Sequence, residues 1–150
     1  MAERITNAFT CDVEDYFQVS ALAPHFPRHT WENVPCRVER NVERILQMLD
    51  DHGARGTFFT LGWIAERFPQ LVRRIAAAGH EVASHGYAHE RASALTPEAF
   101  KADIALAKAV LEDITGRLIT GYRAPSFSIG KANLWAHDCI AEAGYRYSSS

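Results

Sequence analysis

Apolar and polar positions alternate between strand-like and helix-like rhythms along the whole chain. Ile5 to Val13 is a largely apolar run that ends in Asp12-Val13-Glu14-Asp15. It predicts a buried strand with carboxylates at its C-terminal end. Residues 16–34 hold Pro24 and Pro27 among scattered aromatic residues and histidines, which predicts irregular backbone. Val38, Val42, Ile45, Leu46 and Leu49 share one helical face, with Gly53 as the stop. Thr57 to Leu61 predicts a second strand, and Trp63 to Arg67 a single turn. The next helix has Pro69 near its first position and Gly79 past its end, the expected asymmetry. Glu81 to Ser84 predicts a short third strand running into His85-Gly86-Tyr87-Ala88-His89. Thr96 caps a long helix with Phe100, Ile104, Ala107, Leu111 and Ile114 on its inner face and Gly116 at its end. Leu118 to Tyr122 predicts a fourth strand, residues 132–143 a last helix, and Tyr145 to Tyr147 the start of a fifth strand.

Strands and helices in strict alternation, joined by short loops, predict βαβ units and a parallel sheet in one domain spanning 1–150. Polar clusters fall at the C-terminal ends of three strands: Asp12 to Asp15, His85 to His89, and Tyr122 to Pro125. In α/β folds that is the end where sites are built.

Composition narrows the function classes. The chain is 47% hydrophobic and 23% charged with a net charge of −2, which excludes disorder and gives no basic footprint for nucleic acid. No apolar run approaches the roughly 20 residues of a membrane span. Met1-Ala2-Glu3-Arg4 has no apolar signal core behind it, so a cytoplasmic location is expected. Cys11, Cys36 and Cys139 are odd in number and form no CxxC, which predicts reduced thiols.

His85 and His89 are four residues apart. If the segment turns helically after the strand, both rings lie on one side. Two imidazoles plus a carboxylate make a three-ligand metal site with an open position for water. Asp12 directly follows an apolar strand, where an unpaired carboxylate is costly to bury. Strand alternation puts Asp12 and Glu14 on the same face, so one could bind a metal and the other act as a base. Arg123 ends the fourth strand, where it could pair with a site carboxylate. His80 precedes its strand and is expected at the opposite end of the sheet in a structural role. His52 is expected to be exposed at a helix end. His25, His29 and His137 form no partner pattern.

Asp12-Val13-Glu14, Thr57-Phe58-Phe59, Gly79 to His89 and Tyr122-Arg123-Ala124-Pro125 occur in that order. The set resembles the NodB-type polysaccharide deacetylases, carbohydrate esterase family 4. Within them it is most similar to the branch of bacterial exopolysaccharide loci associated with exosortase systems. The resemblance covers about residues 7–150. It implies a deformed (β/α) barrel, usually of seven strands. The implied reaction is hydrolysis of the acetamide of an N-acetylated sugar in a polymer or lipid-linked glycan. It implies a divalent metal, with zinc the expected ion. Carried over residue by residue, it makes Asp12 the catalytic base, His85 and His89 the metal histidines, and Arg123 the arginine that holds the aspartate. Many members have adjacent aspartates where this chain has Asp-Val-Glu-Asp, and Glu14 is taken over Asp15 as third ligand. Tyr122, Pro125 and Ser126 match the strand-end loop that contributes to substrate and oxyanion binding.

Only about five strands are predicted, and a (β/α) barrel typically needs about 200 residues or more. The family's later motifs, including the strand that carries its acid histidine, have no match. The expectation is therefore a barrel without its C-terminal part. Low turnover from this chain alone and self-association through an open sheet edge follow from that. Two other functions fit the same motifs: an allantoinase-like amidohydrolase acting on a small amide, and a non-catalytic domain that binds metal or glycan.

Overall fold

The computed structural model describes residues 7–150, so Ile5 and Thr6 of the first predicted strand lie outside it. Five parallel strands pair in chain order: β1 (Phe9–Val13), β2 (Gly56–Thr60), β3 (Glu81–Ser84), β4 (Gly121–Tyr122) and β5 (Tyr147–Ser148). Five α-helices connect them: α1 (Val38–Asp51), α2 (Gly62–Arg67), α3 (Pro69–Ala77), α4 (Pro97–Thr115) and α5 (Trp135–Glu142). None of these helices is long and apolar enough to cross a membrane.

Period-two alternation gives the sheet two different faces. Phe9, Cys11, Val13, Phe58 and Val82 face the helices and join one apolar core with Leu46, Leu71, Ile75, Ile104 and Leu111. The opposite face carries Thr10 and Asp12 on β1, Thr57 and Phe59 on β2, and Glu81 and Ala83 on β3, aligned by the strand register. Its lower layer is polar and satisfied. Thr57 Oγ1 donates to Glu81 at 2.7 Å, and the Tyr147 hydroxyl donates to Glu81 at 2.8 Å. A Cβ at Gly121 would collide with the Tyr147 ring, so only glycine fits there.

The sheet curls. Arg123, just past β4, donates to Thr10 on β1 at 3.1 Å and lies 4.0 Å over the Phe59 ring. Strands that are not neighbours in the sheet thus face each other across an interior, as in part of a barrel wall.

The ends of some elements differ from the sequence expectation. The fourth strand is only Gly121–Tyr122. Before it, Glu112 on α4 accepts from the Ile119 amide at 3.0 Å, and Lys108 donates to the Ile119 carbonyl at 2.6 Å. Side chains of α4 replace the strand ladder there, and Leu118 is left exposed. Tyr145 is buried, donates its hydroxyl to the Ile104 carbonyl at 2.8 Å, and precedes β5 instead of starting it. The last helix is split into a 3₁₀ turn, Lys131–Asn133, and α5. Residues 16–34 form three 3₁₀ segments (Tyr16–Gln18, Ser20–Leu22 and Arg28–Asn33) around edge-packed Tyr16, Phe17, Phe26, Trp31 and Trp63.

Candidate metal centre

Glu14, His85 and His89 converge at the C-terminal ends of β1 and β3, with their ligand atoms within 4.8 Å of one another. His85 Nδ1 lies 2.9 Å from the Arg123 carbonyl. A carbonyl only accepts, so Nδ1 carries the proton and Nε2 presents its lone pair to the site. That Nε2 stands 3.7 Å from Glu14 and 3.8 Å from Asp12. Burial lowers the His85 pKa and favours the neutral ring, against the pull of the Asp12 and Glu14 carboxylates. His89 Nε2 lies 2.8 Å from Glu14 Oε2, yet that buried oxygen receives no well-formed hydrogen bond. Two imidazole nitrogens and an unsatisfied carboxylate oxygen at this spacing fit a divalent cation with three protein ligands. The nitrogen and oxygen donors suit zinc.

The histidine spacing works by a different geometry from the helical turn expected. Gly86 and His89 both have left-handed backbone, with φ of 78° and 58°, so a tight loop brings the rings together. The loop is clamped from two sides. The amides of Gly62 and Trp63 at the start of α2 donate to the carbonyls of Gly86 and Tyr87 at 2.9 and 3.0 Å. The Tyr87 amide donates to Asp103 on α4 at 3.0 Å. A Cβ at Gly86 would stand 2.8 Å from Asp103 Oδ2. Burial raises the Asp103 pKa, against the backbone hydrogen bonds from Tyr87 and Ala88.

Asp15 is engaged elsewhere. It is buried, and its carboxylate accepts from the amides of Tyr16, Arg37 and Val38. It caps the first 3₁₀ turn and the start of α1, which leaves Glu14 as the acid facing the histidines.

Asp12 is held by Arg123, whose Nη1 donates to Asp12 Oδ1 at 2.7 Å. Arg123 is itself held by Ser149 at 2.8 Å, by Thr10 and by Phe59. Together they aim the Asp12 carboxylate into a cavity of about 350 Å³ shared with Glu14 and both histidines. Ser126 lines this cavity, and Pro125 is buried and does not line it. Tyr122 is a correction to the sequence reading. Its side chain is fully buried and packs against Phe100 and Tyr145, so its phenol cannot meet a substrate. The side chain at this position points to the helices because alternation sends its neighbours Gly121 and Arg123 inward.

His80 sits at the opposite end of the sheet, 3.2 Å from the Gly56 amide and with its ring tilted against Phe58. His52 is exposed at the end of α1. None of His25, His29 and His137 lines the cavity.

Sequence reading missed Ser20, Arg91 and Phe127, which also line the cavity. Ser20 and Arg91 come from irregular segments without periodicity. Ser126 and Phe127 are successive left-handed residues, with φ of 55° and 48°, and Phe127 is 63% exposed at the rim. Such backbone costs about 1–3 kcal/mol per residue and clusters at functional sites. Nothing in the string Pro125-Ser126-Phe127 signals it.

Residues 28–148 match the Polysaccharide deacetylase family profile. The whole chain is similar, at 26% identity, to a peptidoglycan deacetylase from Helicobacter pylori, of which it covers 50%. A stretch making up 62% of the chain is 33% identical to 34% of a peptidoglycan-N-acetylglucosamine deacetylase from Bacillus cereus. Among solved structures, a Mycobacterium smegmatis protein assigned to the polysaccharide deacetylases superposes with a TM-score of 0.77 at 32% identity, over 94% of this chain and 49% of that one. A carbohydrate esterase family 4 pseudoenzyme from Bacillus anthracis shares the fold, with a TM-score of 0.62 at 23% identity over 67% of this chain and 36% of its own. The chain therefore spans half or less of the length of these relatives.

Proposed function

We propose that this chain, which belongs to the polysaccharide deacetylase family, carries the metal-binding and base-bearing side of an enzyme that removes acetyl groups from N-acetylated sugars. The observation that carries this reading is the approach of Glu14, His85 and His89 within 4.8 Å beside an aspartate fixed by an arginine. Two of the relatives named above are peptidoglycan deacetylases, which supports a polymer containing N-acetylglucosamine as the substrate class.

Zinc bound by Glu14, His85 and His89 would supply Lewis-acid polarisation to the acetamide carbonyl and to water. Asp12 accepts the proton of the attacking water, and Arg123 keeps its carboxylate turned to the cavity. The Arg123 carbonyl holds His85 in the tautomer whose Nε2 is free. The carbonyl carbon becomes tetrahedral, the carbon–nitrogen bond breaks, and acetate and a free amine result. Among the described residues no histidine other than His85 and His89 lines the cavity, so the proton that Asp12 has accepted is the one at hand for the leaving amine.

Acetate release from N-acetylchitotetraose by the zinc-loaded chain tests the reading. Zinc-dependent release that disappears in Asp12→Asn, with zinc retained, is expected. Release that is independent of zinc, or equal in Asp12→Asn, overturns it.

A further inference from the structure

A second cavity of about 350 Å³ adjoins the metal cavity and shares Ser20, His89 and Arg91 with it. Its size is within the range of small-ligand clefts, about 300–1,000 Å³. Three features of its wall have no use in the catalytic arrangement.

The first is Arg28. Its guanidinium lies 4.5 Å over the Trp31 ring and 5.7 Å from that of Trp63, and it has no carboxylate within ion-pair distance among the described residues. Stacking on two indoles holds the planar fork in place while leaving its N–H groups free. The second is Arg91, which donates to Ser20 at 3.2 Å and also has no carboxylate partner among the described residues. The third is Gln18. It is 3% exposed, its Oε1 accepts from the Asp15 amide at 2.8 Å, and its buried Nε2 has no acceptor. An amide donor buried without an acceptor is costly unless a ligand supplies one. Glu90 is on the same wall, exposed, and leaves two guanidiniums against one carboxylate.

We propose that this cavity is a subsite for an anionic substituent, a carboxylate or a phosphate, on the sugar next to the one that is deacetylated. The substrate is then an acidic glycan. The inference rests on the deacetylase reading, since it takes the shared wall at His89 as the path of one glycan across both cavities. Arg28 and Arg91 supply paired N–H donors to the anion, the geometry in which arginine outperforms lysine. Gln18 Nε2 donates to the same group or to the ring hydroxyl beside it. Trp31 serves the subsite through Arg28, whose guanidinium it supports.

Isothermal titration of the zinc-loaded chain at low salt tests this with three probes. These are neutral N-acetylchitotetraose, a hyaluronan tetrasaccharide that alternates N-acetylglucosamine with glucuronate, and N-acetylchitotetraose phosphorylated at O6. Binding of an anionic probe about tenfold tighter than chitotetraose is expected, the effect of one charge-assisted contact. The hyaluronan and phosphate arms say which anion is preferred. The preference should fall to near unity in Arg28→Ala/Arg91→Ala and be partly kept in Arg28→Lys. Both arginines are exposed, and unchanged zinc affinity and melting temperature verify that the variants fold. Equal affinity for neutral and anionic probes overturns the subsite, as does a preference that survives the double substitution. Zinc-dependent acetate release without anion preference sinks the subsite alone. Anion preference that is kept when acetate release is zinc-independent or equal in Asp12→Asn sinks the deacetylase reading and leaves the anion site standing.

Discussion

Asp12 and Arg123 are 111 residues apart in the chain and 2.7 Å apart in the fold. One lies near the end of the first strand and the other follows the fourth. Their contact closes the curl of the sheet and aims a carboxylate toward Glu14 and the two histidines. The same arginine offers its carbonyl to His85. Its side chain and its backbone thus serve the two halves of the site.

Loss of Arg123 should therefore show in catalysis before it shows in metal content. Arg123→Ala removes the donors to Asp12, Thr10 and Ser149 but leaves a carbonyl for His85. Zinc stoichiometry should be retained, while the rate of acetate release falls about 10-fold to 100-fold. Asp12→Asn should fall further, because a general base is worth about 10²–10⁴-fold. Steady-state rates with parallel metal analysis measure both. A rate for Arg123→Ala equal to the parent would show that Asp12 holds its orientation alone.

Glu14 and Asp15 should separate cleanly. Asp15→Ala leaves three backbone amides without their acceptor and should cost about 2 kcal/mol of stability. It should keep its zinc at temperatures where it is folded. Glu14→Ala should lose zinc affinity by orders of magnitude and keep most of its stability without metal. Chelator competition and thermal melts of the apo proteins report the two properties independently. Zinc loss in Asp15→Ala with zinc kept in Glu14→Ala would reverse the assignment.

The histidine loop should be intolerant of a single methyl group. Gly86→Ala must hold a left-handed φ, at roughly 1–2 kcal/mol, and pushes its Cβ against Asp103. Gly62→Ala places a Cβ 2.6 Å from the Tyr87 ring, on the opposite side of the same loop. Both should weaken zinc binding without touching a ligand. Gly53→Ala is the control: it also has positive φ but open space around it, so it should lower stability and leave zinc affinity unchanged.

Asp103 should give the apo protein a pH-dependent stability of defined sign. Burial raises its folded pKa above the ordinary carboxylate value of 3.8. Between those two values the folded state binds more protons than the unfolded one. This group's contribution is therefore most favourable below pH 3.8 and declines as pH rises through the folded pKa. Asp103→Asn should flatten that decline in denaturant titrations from pH 3.5 to 7. An unchanged pH slope would place the proton uptake elsewhere.

The sequence expressed the strand–helix alternation and the three strand-end clusters directly, because burial period and cap chemistry are local. Phe100, Ile104, Ala107 and Leu111 were legible as a helix face and are buried as one. The short β4 was not legible, because whether Leu118 and Ile119 join a ladder depends on Lys108 and Glu112 on another element. The orientation of Tyr122 is hidden in the sequence for a related reason: its neighbour Arg123 lies at the site, but alternation turns the Tyr122 ring away to Phe100 and Tyr145. Phe127 and Arg91 escaped notice because left-handed backbone and loop packing leave no periodic trace.

Each strand of the sheet pairs with its predecessor in the chain, and this gives assembly a direction. Synthesis from the N-terminus would deliver Glu14, His85 and His89 within the first 89 residues, before α4 and β4 exist. At that stage His85 lacks the Arg123 carbonyl that fixes its tautomer, and the loop lacks Asp103 as its clamp. A nascent chain can thus gather its three donors early but can present them in their final form only once β4 has docked. Tight zinc uptake during refolding would serve as a clock for the arrival of the fourth strand.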